Sequence, residues 1–321
     1  MNKVIILLGP TCVGKTGISI LLGKALNTEI ITADSMQIYK YMDIGTSKPS
    51  PAELREVRHH LTDILLPTES FSAGLFRDMA VKIINDLHQN GKIPIIVGGT
   101  GLYIRTLTQG LFPASPADWQ LRERLLKEEK LFGRGYLHER LKTIDPQAAE
   151  KINPQDLRRI VRAIEVSIKE KRAISELQHL YTAPESYEFI KIGLSRDRKE
   201  LYKLIEQRVD SMIEKGLIKE TEGLLRMNPH KVPLQSLGYK EISLYLSGFI
   251  TLDVAIRLLK RRTKRYAKRQ FTWFKKEPDV RWVDITGIMD RDEIFAKVIN
   301  DVKILRELLY GEVSEKSLSY S

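Results

Sequence analysis

Residues 4–16, Val-Ile-Ile-Leu-Leu-Gly-Pro-Thr-Cys-Val-Gly-Lys-Thr, constrain this chain more than any other stretch. Val4 to Leu8 form an unbroken apolar run, as expected of a strand buried on both faces. Gly9, Gly14, Lys15 and Thr16 then fill the pattern G-x-x-x-x-G-K-[ST], and Ile18, Leu21, Leu22 and Ala25 follow at helical spacing. In that order a glycine loop can turn its backbone N–H groups inward, and the following helix N-terminus adds positive potential. Lys15 is placed to reach an outer phosphate, and Thr16 to set its hydroxyl on Mg²⁺. The pattern specifies a phosphate chain and leaves kinases, GTPases and group transferases open.

Further strands are expected to supply the rest of a ligand crevice, because parallel strands present their C-terminal ends along one edge. Glu29 to Asp34 reads as a second strand ending in a carboxylate. Asp34 either caps the turn that Ser35 begins or acts as a general base or magnesium partner facing the loop. Met42-Asp-Ile-Gly-Thr-Ser-Lys-Pro49 is a punctuated loop long enough to recognise a substrate. Ile93 to Val97 predicts another buried strand, feeding the turn Gly98-Gly-Thr-Gly-Leu-Tyr103, where Thr100 is placed to touch ligand. His59 and His60 are adjacent and lack an evident third ligand, which favours a structural role. Residues 74–89 predict a helix with Leu75, Met79, Ile83, Ile84 and Leu87 along one stripe.

From 117 to 180 the pattern is almost entirely helical and charged: Leu121, Leu125 and Leu126 mark one helix, Leu137 and Leu141 a second, and Leu157, Ile160, Val161, Ile164 and Ile168 a third, opened by Asn153-Pro154. Arg158, Arg159 and Arg162 lie within about one turn of that third helix, either as a solvated face with an Arg162 to Glu165 pair or as a phosphate-backbone clamp. Tyr187 to Leu194 returns to strand character, so the helical stretch reads as an insertion into an α/β sheet domain. Leu201 to Leu217 predicts one long amphipathic helix carrying Arg208, a surface charge or a cationic clamp on phosphate.

The chain of 321 residues has a net charge of +11, which favours a polyanionic partner. Arg257 to Lys276 holds ten Lys or Arg in 20 residues, no acid, and Tyr266, Phe271, Trp273 and Phe274 interleaved; Ile256, Leu259, Tyr266 and Trp273 leave an apolar edge. Such a stripe argues for nucleic acid over a membrane surface, since the charges surround most of the helix. A single cysteine, Cys12, excludes an internal disulfide framework and fits a reducing cytosol. No stretch is long enough to span a bilayer.

Taken together, Gly9 to Thr16, Asp34-Ser-Met-Gln-Ile-Tyr39, Met42 to Pro49, Gly98 to Tyr103, Asp156 to Glu165, Gly238-Tyr-Lys-Glu241 and Ala267-Lys-Arg-Gln-Phe-Thr-Trp-Phe274 resemble the bacterial tRNA dimethylallyltransferases, from Val4 to about Trp282. The resemblance implies an α/β fold, a P-loop-kinase-like parallel sheet core with an inserted all-helical domain. It implies a core of residues 1–115 and 186–310, an insertion of 116–185 and a tail of 311–321. It also implies transfer of a dimethylallyl group from dimethylallyl diphosphate to the exocyclic amine of the adenosine beside the anticodon of tRNA, with Mg²⁺ required. By position, Gly9, Pro10, Thr11, Cys12, Val13, Gly14, Lys15 and Thr16 would hold the diphosphate, joined by Arg208, and Thr16 would hold the metal. Asp34 would be the general base. Asp34, Ser35, Met36, Gln37, Thr100, Arg158, Arg159 and Arg162 would contact the anticodon stem-loop, with Lys268 and Arg269 of the basic stripe gripping it from a second side. Cys12 stands where the family more often has a small residue such as Ala. A cytoplasmic monomer without membrane contact is expected.

Two other classes bound this expectation. A nucleotide or small-metabolite kinase would use the same loop but has no need of the basic stripe, and no Asn-Lys-x-Asp guanine motif supports a GTPase. A non-catalytic RNA-binding protein would leave Asp34 and Lys15-Thr16 without a purpose.

Overall fold

The structure is a computed structural model and describes residues 2–112 and 115–311. The expected tail, beyond Gly311, and Pro113-Ala114 at the expected junction lie outside the described residues. The chain divides into two compact units, Met1–Ile104 with Ser186–Ser321, and Arg105–Glu185.

The first unit begins with β1 (Lys3–Leu8), α1 (Lys15–Ala25), β2 (Ile30–Thr32), α2 (Pro51–Glu56), β3 (His59–His60), α3 (Ala73–Gln89) and β4 (Ile95–Gly98). Helix α4 (Gly101–Thr108) runs through the unit boundary, and the second unit continues with α5 (Trp119–Phe132), α6 (Tyr136–Ile144), α7 (Pro146–Lys151), α8 (Leu157–Glu170) and α9 (Ile174–Tyr181). The first unit resumes with β5 (Glu188–Ser195), α10 (Arg198–Glu214), α11 (Leu217–Arg226), α12 (Lys231–Leu234), α13 (Tyr239–Leu246) and α14 (Leu252–Phe274). It closes with β6 (Val280–Asp284), α15 (Arg291–Asp301) and α16 (Lys303–Tyr310).

The six strands form one parallel sheet in the order β3-β2-β4-β1-β5-β6. β1 lies between β4 and β5: Leu8 is opposite Gly98 on one side and Gly193 on the other. Val4 to Leu8 are fully buried, as a strand covered on both faces must be. Because every strand points the same way, the segments after β1, β2 and β4 leave from one edge of the sheet. That edge receives the glycine loop, Asp34 and the second glycine turn. Gly98 is where they crowd: a Cβ there would stand 2.1 Å from the Ala33 carbonyl oxygen, so only glycine permits the approach.

Several local expectations are corrected. β3 and β6, the two edge strands, carry little pattern of their own, and β3 has only two residues. β2 ends at Thr32, so Asp34 stands just past the strand. In α3 the buried stripe is Phe76, Ala80, Ile84 and Leu87, whereas Leu75 and Met79 are exposed; the inward face is centred one residue further along. The long helix from Leu201 breaks after Glu214, where Gly216 takes a φ of 99° and caps α11. Apolar periodicity runs across that break and hides it.

Among its described residues the second unit holds only helices, packed around Leu121, Leu125, Leu137, Leu141, Ile160, Ile164 and Leu177. Helix α8 is capped by Asp156, whose side chain accepts from the Arg159 N–H at 3.2 Å, and not by Asn153-Pro154. Ile168 is exposed near its end. No helix among the described residues is long and apolar enough to cross a membrane.

Candidate active site

Above the sheet edge lies a cavity of about 270 Å³ lined by Thr11, Cys12, Gly14, Lys15, Thr16, Asp34, Gln37 and Arg208, among others. The loop curls because Gly9, Cys12 and Gly14 all have positive φ, at 147°, 67° and 111°. For Cys12, a residue with a Cβ, that conformation costs about 1 kcal/mol. Helix α1 starts behind Gly14, which has no side chain to cap it, so its first N–H groups are left for a ligand. The Lys15 Nζ folds back to donate to the carbonyls of Gly9 at 2.9 Å and Pro10 at 2.8 Å. Arg208, on α10, donates from Nη1 to Thr11 Oγ1 at 3.3 Å. Burial, and next the Arg208 guanidinium, bring the Lys15 pKa down to about 8, with Asp34 pulling the other way.

Asp34 both caps its turn and faces the loop. Its Oδ1 accepts from the N–H groups of Met36 at 2.9 Å and Gln37 at 3.4 Å, fixing the turn, while the carboxylate lines the cavity with Lys15. Burial pushes its pKa up; those two N–H groups and Lys15 restrain the rise. Burial also raises the Cys12 thiol, so it stays protonated beside the loop.

The structure gathers only part of the residues singled out from sequence. Gly9, Pro10, Val13, Ser35, Met36 and Thr100 do not line the cavity. Thr100 Oγ1 instead accepts from the Ser35 N–H at 3.0 Å and so ties the two turns together. Arg158, Arg159 and Arg162 belong to the second unit. There Arg158 and Arg159 are exposed, whereas Arg162 is paired with the buried Glu165 and donates to the Ser115 carbonyl at 3.1 Å. Lys268 and Arg269 are exposed on α14.

The family model described as IPP transferase matches residues 37–277. A tRNA dimethylallyltransferase of Thermodesulfovibrio yellowstonii is 50% identical over 98% of this chain and 98% of its own length. The chain belongs to the IPP transferase family. The tRNA dimethylallyltransferase of Acetivibrio thermocellus is 48% identical over 94% of this chain and 97% of its own. Among solved structures, the full-length tRNA isopentenylpyrophosphate transferase of Bacillus halodurans shares 39% identity and a TM-score of 0.67, covering 96% of this chain and 99% of that one. A eukaryotic dimethylallyltransferase acting on tRNA shares 29% identity and a TM-score of 0.80, covering 96% of this chain and 84% of that one.

In this IPP transferase, sequence reasoning gave no site role to Gln270, Tyr266 and His59, which line the cavity, nor to Gly17, Ser19 and Thr32. Gln270 is buried on α14; its Oε1 accepts from the Thr11 N–H at 2.8 Å and its Nε2 donates to the Gly99 carbonyl at 2.9 Å. It thereby spans both glycine turns. Its only signal in sequence was a polar residue within the inward edge of a basic helix. His59 is fixed through Nδ1 to the Val57 carbonyl at 2.8 Å, and its buried Nε2 has no partner among the described residues.

The basic helix is also redrawn. Its buried stripe is Ala255, Leu259, Ala267, Gln270 and Phe274, where small alanines permit close helix packing. Neighbouring helices supply acids that its own sequence lacks: Asp210 pairs with Lys260, Glu241 with Arg262 and Glu206 with Lys264. Of the cations left exposed, Arg257, Arg261, Arg265 and Arg269 follow i, i+4 spacing along one side of the helix with Lys268 beside them, instead of surrounding it, and Lys275 and Lys276 lie just past its end.

The residues also fit a magnesium ion carried with a diphosphate. The cavity is lined by Thr16, whose hydroxyl is a hard oxygen donor. Among the described residues no group of three or more His, Cys, Asp or Glu gathers to cage a metal. Mg²⁺ suits such a sparse set, since it keeps several waters and binds through one or two protein oxygens plus phosphates.

Proposed function

We propose that this chain transfers a dimethylallyl group from dimethylallyl diphosphate to the exocyclic amine of the adenosine on the 3′ side of the anticodon in tRNA, releasing diphosphate. The observation that carries the reading is the shared cavity: Asp34 and Gln37 line it together with Lys15, Thr16 and Arg208. A base and an anion cradle facing one space suit a reaction that removes a proton at one end and a diphosphate at the other. The names and close similarity of the relatives supply the substrates.

In this mechanism the α1 N-terminus, Lys15 and Arg208 hold the diphosphate and take up the charge that grows on it as the C–O bond breaks. Thr16 would hold Mg²⁺, which neutralises diphosphate charge when bound. The adenine leaves its stack to enter the cavity, because a stacked amine is out of reach. Its nitrogen bonds to the departing dimethylallyl carbon and its proton passes to Asp34. A carboxylate whose pKa is raised by burial is the better matched to that task. The exposed cations of α14 supply the attraction for an RNA backbone, and Arg158 and Arg159 of the second unit offer further cations.

The test is to incubate the protein with Mg²⁺, unmodified tRNA and labelled dimethylallyl diphosphate or labelled ATP. Label from the first, and not the second, should enter the tRNA at that adenosine; phosphate transfer from ATP would replace this reading with a kinase. Asp34→Asn should lower kcat by roughly 10²- to 10⁴-fold, the usual contribution of a positioned base, with tRNA affinity little changed.

A further inference from the structure

Two motifs stand out in the sequence without a part in the chemistry above, Met42 to Pro49 and Gly238 to Glu241. The structure makes them one device, joined by a residue that neither contains. Glu220, on α11, accepts from three consecutive backbone N–H groups of the first motif. Its Oε2 takes Asp43 at 3.1 Å and Ile44 at 2.8 Å, and its Oε1 takes Gly45 at 3.0 Å. Consecutive N–H groups converging on one carboxylate form a strong, charge-assisted set. From the second motif, Tyr239 donates its phenol to the same Oε1 at 2.6 Å. The Tyr239 ring is fully buried over Gly45: a Cβ at Gly45 would lie 2.5 Å from its carbons.

The device is anchored and it reaches the cavity. Glu241 accepts from the Gly238 N–H at 2.9 Å and pairs with Arg262 of the basic helix, which fixes the base of Tyr239. At the other end, Thr46, Ser47 and Pro49 line the cavity. The Gln37 amide donates to the carbonyls of Thr46 at 3.2 Å and Ser47 at 3.3 Å. Both donors of that amide face the loop, so its oxygen is the atom left for a ligand in the cavity that Gln37 and Asp34 both line.

We propose that Glu220, braced by Tyr239, is a positioning residue of the transfer reaction: it holds the 42–49 loop against the cavity and through it fixes the Gln37 amide that meets the acceptor base beside Asp34. The assignment rests on the transferase reading above. It predicts a one-sided defect, because the loop borders the acceptor and the anion cradle is built elsewhere.

The experiment compares Glu220→Ala, Glu220→Gln and Tyr239→Phe in the full chain with wild type. It follows kcat and KM for unmodified tRNA and for dimethylallyl diphosphate, together with calorimetric binding of inorganic diphosphate. Glu220→Ala should lower kcat/KM for tRNA about a hundredfold, as displacement of a positioning group does, with diphosphate affinity within about twofold of wild type. Glu220→Gln should fall nearly as far, because its amide nitrogen must face backbone N–H donors on one side or the other. Tyr239→Phe should lose about fivefold, the smaller effect of one hydrogen bond. If Glu220→Ala melts below the assay temperature, Gly45→Ala decides in the same way, since it lifts the loop off Tyr239 and leaves Glu220 in place. An unchanged tRNA dependence in folded variants, or an equal loss of diphosphate affinity, overturns the proposal alone. A wild-type chain that transfers no prenyl group to tRNA overturns the transferase reading and this assignment with it.

Discussion

Arg162 and Arg208 look alike in the sequence, each a cation on an amphipathic helix, yet their surroundings are opposite. Arg162 meets Glu165, which is fully buried and also accepts from Arg122 at 3.0 and 2.8 Å and from the Asp118 N–H at 2.6 Å. Burial opposes the charge on Glu165, but Arg122, Arg162 and that N–H together hold its carboxyl below the usual range. Arg208 meets no such acid among the described residues; its hydrogen bond is the long one to the Thr11 hydroxyl. The first arginine belongs to a closed network, while the second holds positive charge toward an open cavity beside Lys15. A charge already neutralised by its own protein stabilises the fold, and one left unneutralised in a cavity is available to an anion.

Substitutions should separate the two. Arg208→Ala should cut kcat/KM for the diphosphate substrate by about 10²- to 10³-fold, the scale of losing a preorganised electrostatic partner, with little change in melting temperature. A loss confined to stability would place Arg208 with Arg162. Arg162→Ala should destabilise the protein by about 1–3 kcal/mol, because Glu165 keeps Arg122 but is deprived of its second cation. Denaturant unfolding measures this, and diphosphate binding should stay at the wild-type level. A variant of full stability that binds tRNA weakly would show Arg162 facing RNA after all.

Smaller effects sharpen the same contrast on α14. Replacing Lys268 and Arg269 by Ala should weaken tRNA binding and reduce the salt slope by about 2, one for each phosphate no longer neutralised. Replacing the acid-paired Lys260 should leave that slope nearly unchanged. The finest test is pH. Lys15 has its pKa lowered to about 8, so in the free protein it is charged below that pH and loses its proton above it. Diphosphate favours the charged form, so affinity should weaken as pH rises through 8, and binding there should take up a proton. Calorimetry in buffers of different ionisation enthalpy detects the uptake; pH-independent binding would remove Lys15 from the anion cradle.

What the sequence made legible was local. The order of β1, glycine loop and α1 is written in adjacent residues, and Asp34 follows from ending an apolar run. The pairing of Arg162 with Glu165 is an i, i+3 relation on one helix. Unreadable features depend on partners far along the chain: Gln270 reaching Thr11 and Gly99, Glu220 reaching residues 43–45, and the acids on α10 and α13 that neutralise part of the basic stripe. His59 falls in the same class, because a two-residue strand has no periodicity to reveal which way its side chains point. Charge counted along one helix says nothing about acids brought to it by another.

The sheet order has a consequence for how such a molecule is made. β1 is made before the other five strands of its sheet, yet Lys3 pairs with Glu188, so one flank must wait for the whole second unit to be synthesised. Until then Val4 to Leu8 have at most β4 beside them, an unfinished apolar edge of the sort that invites chaperones or aggregation. Closure over so long a loop is slow. The strand that precedes its five sheet partners in the chain is therefore among the last to be enclosed, and the anion cradle attached to it matures late in the life of the nascent chain.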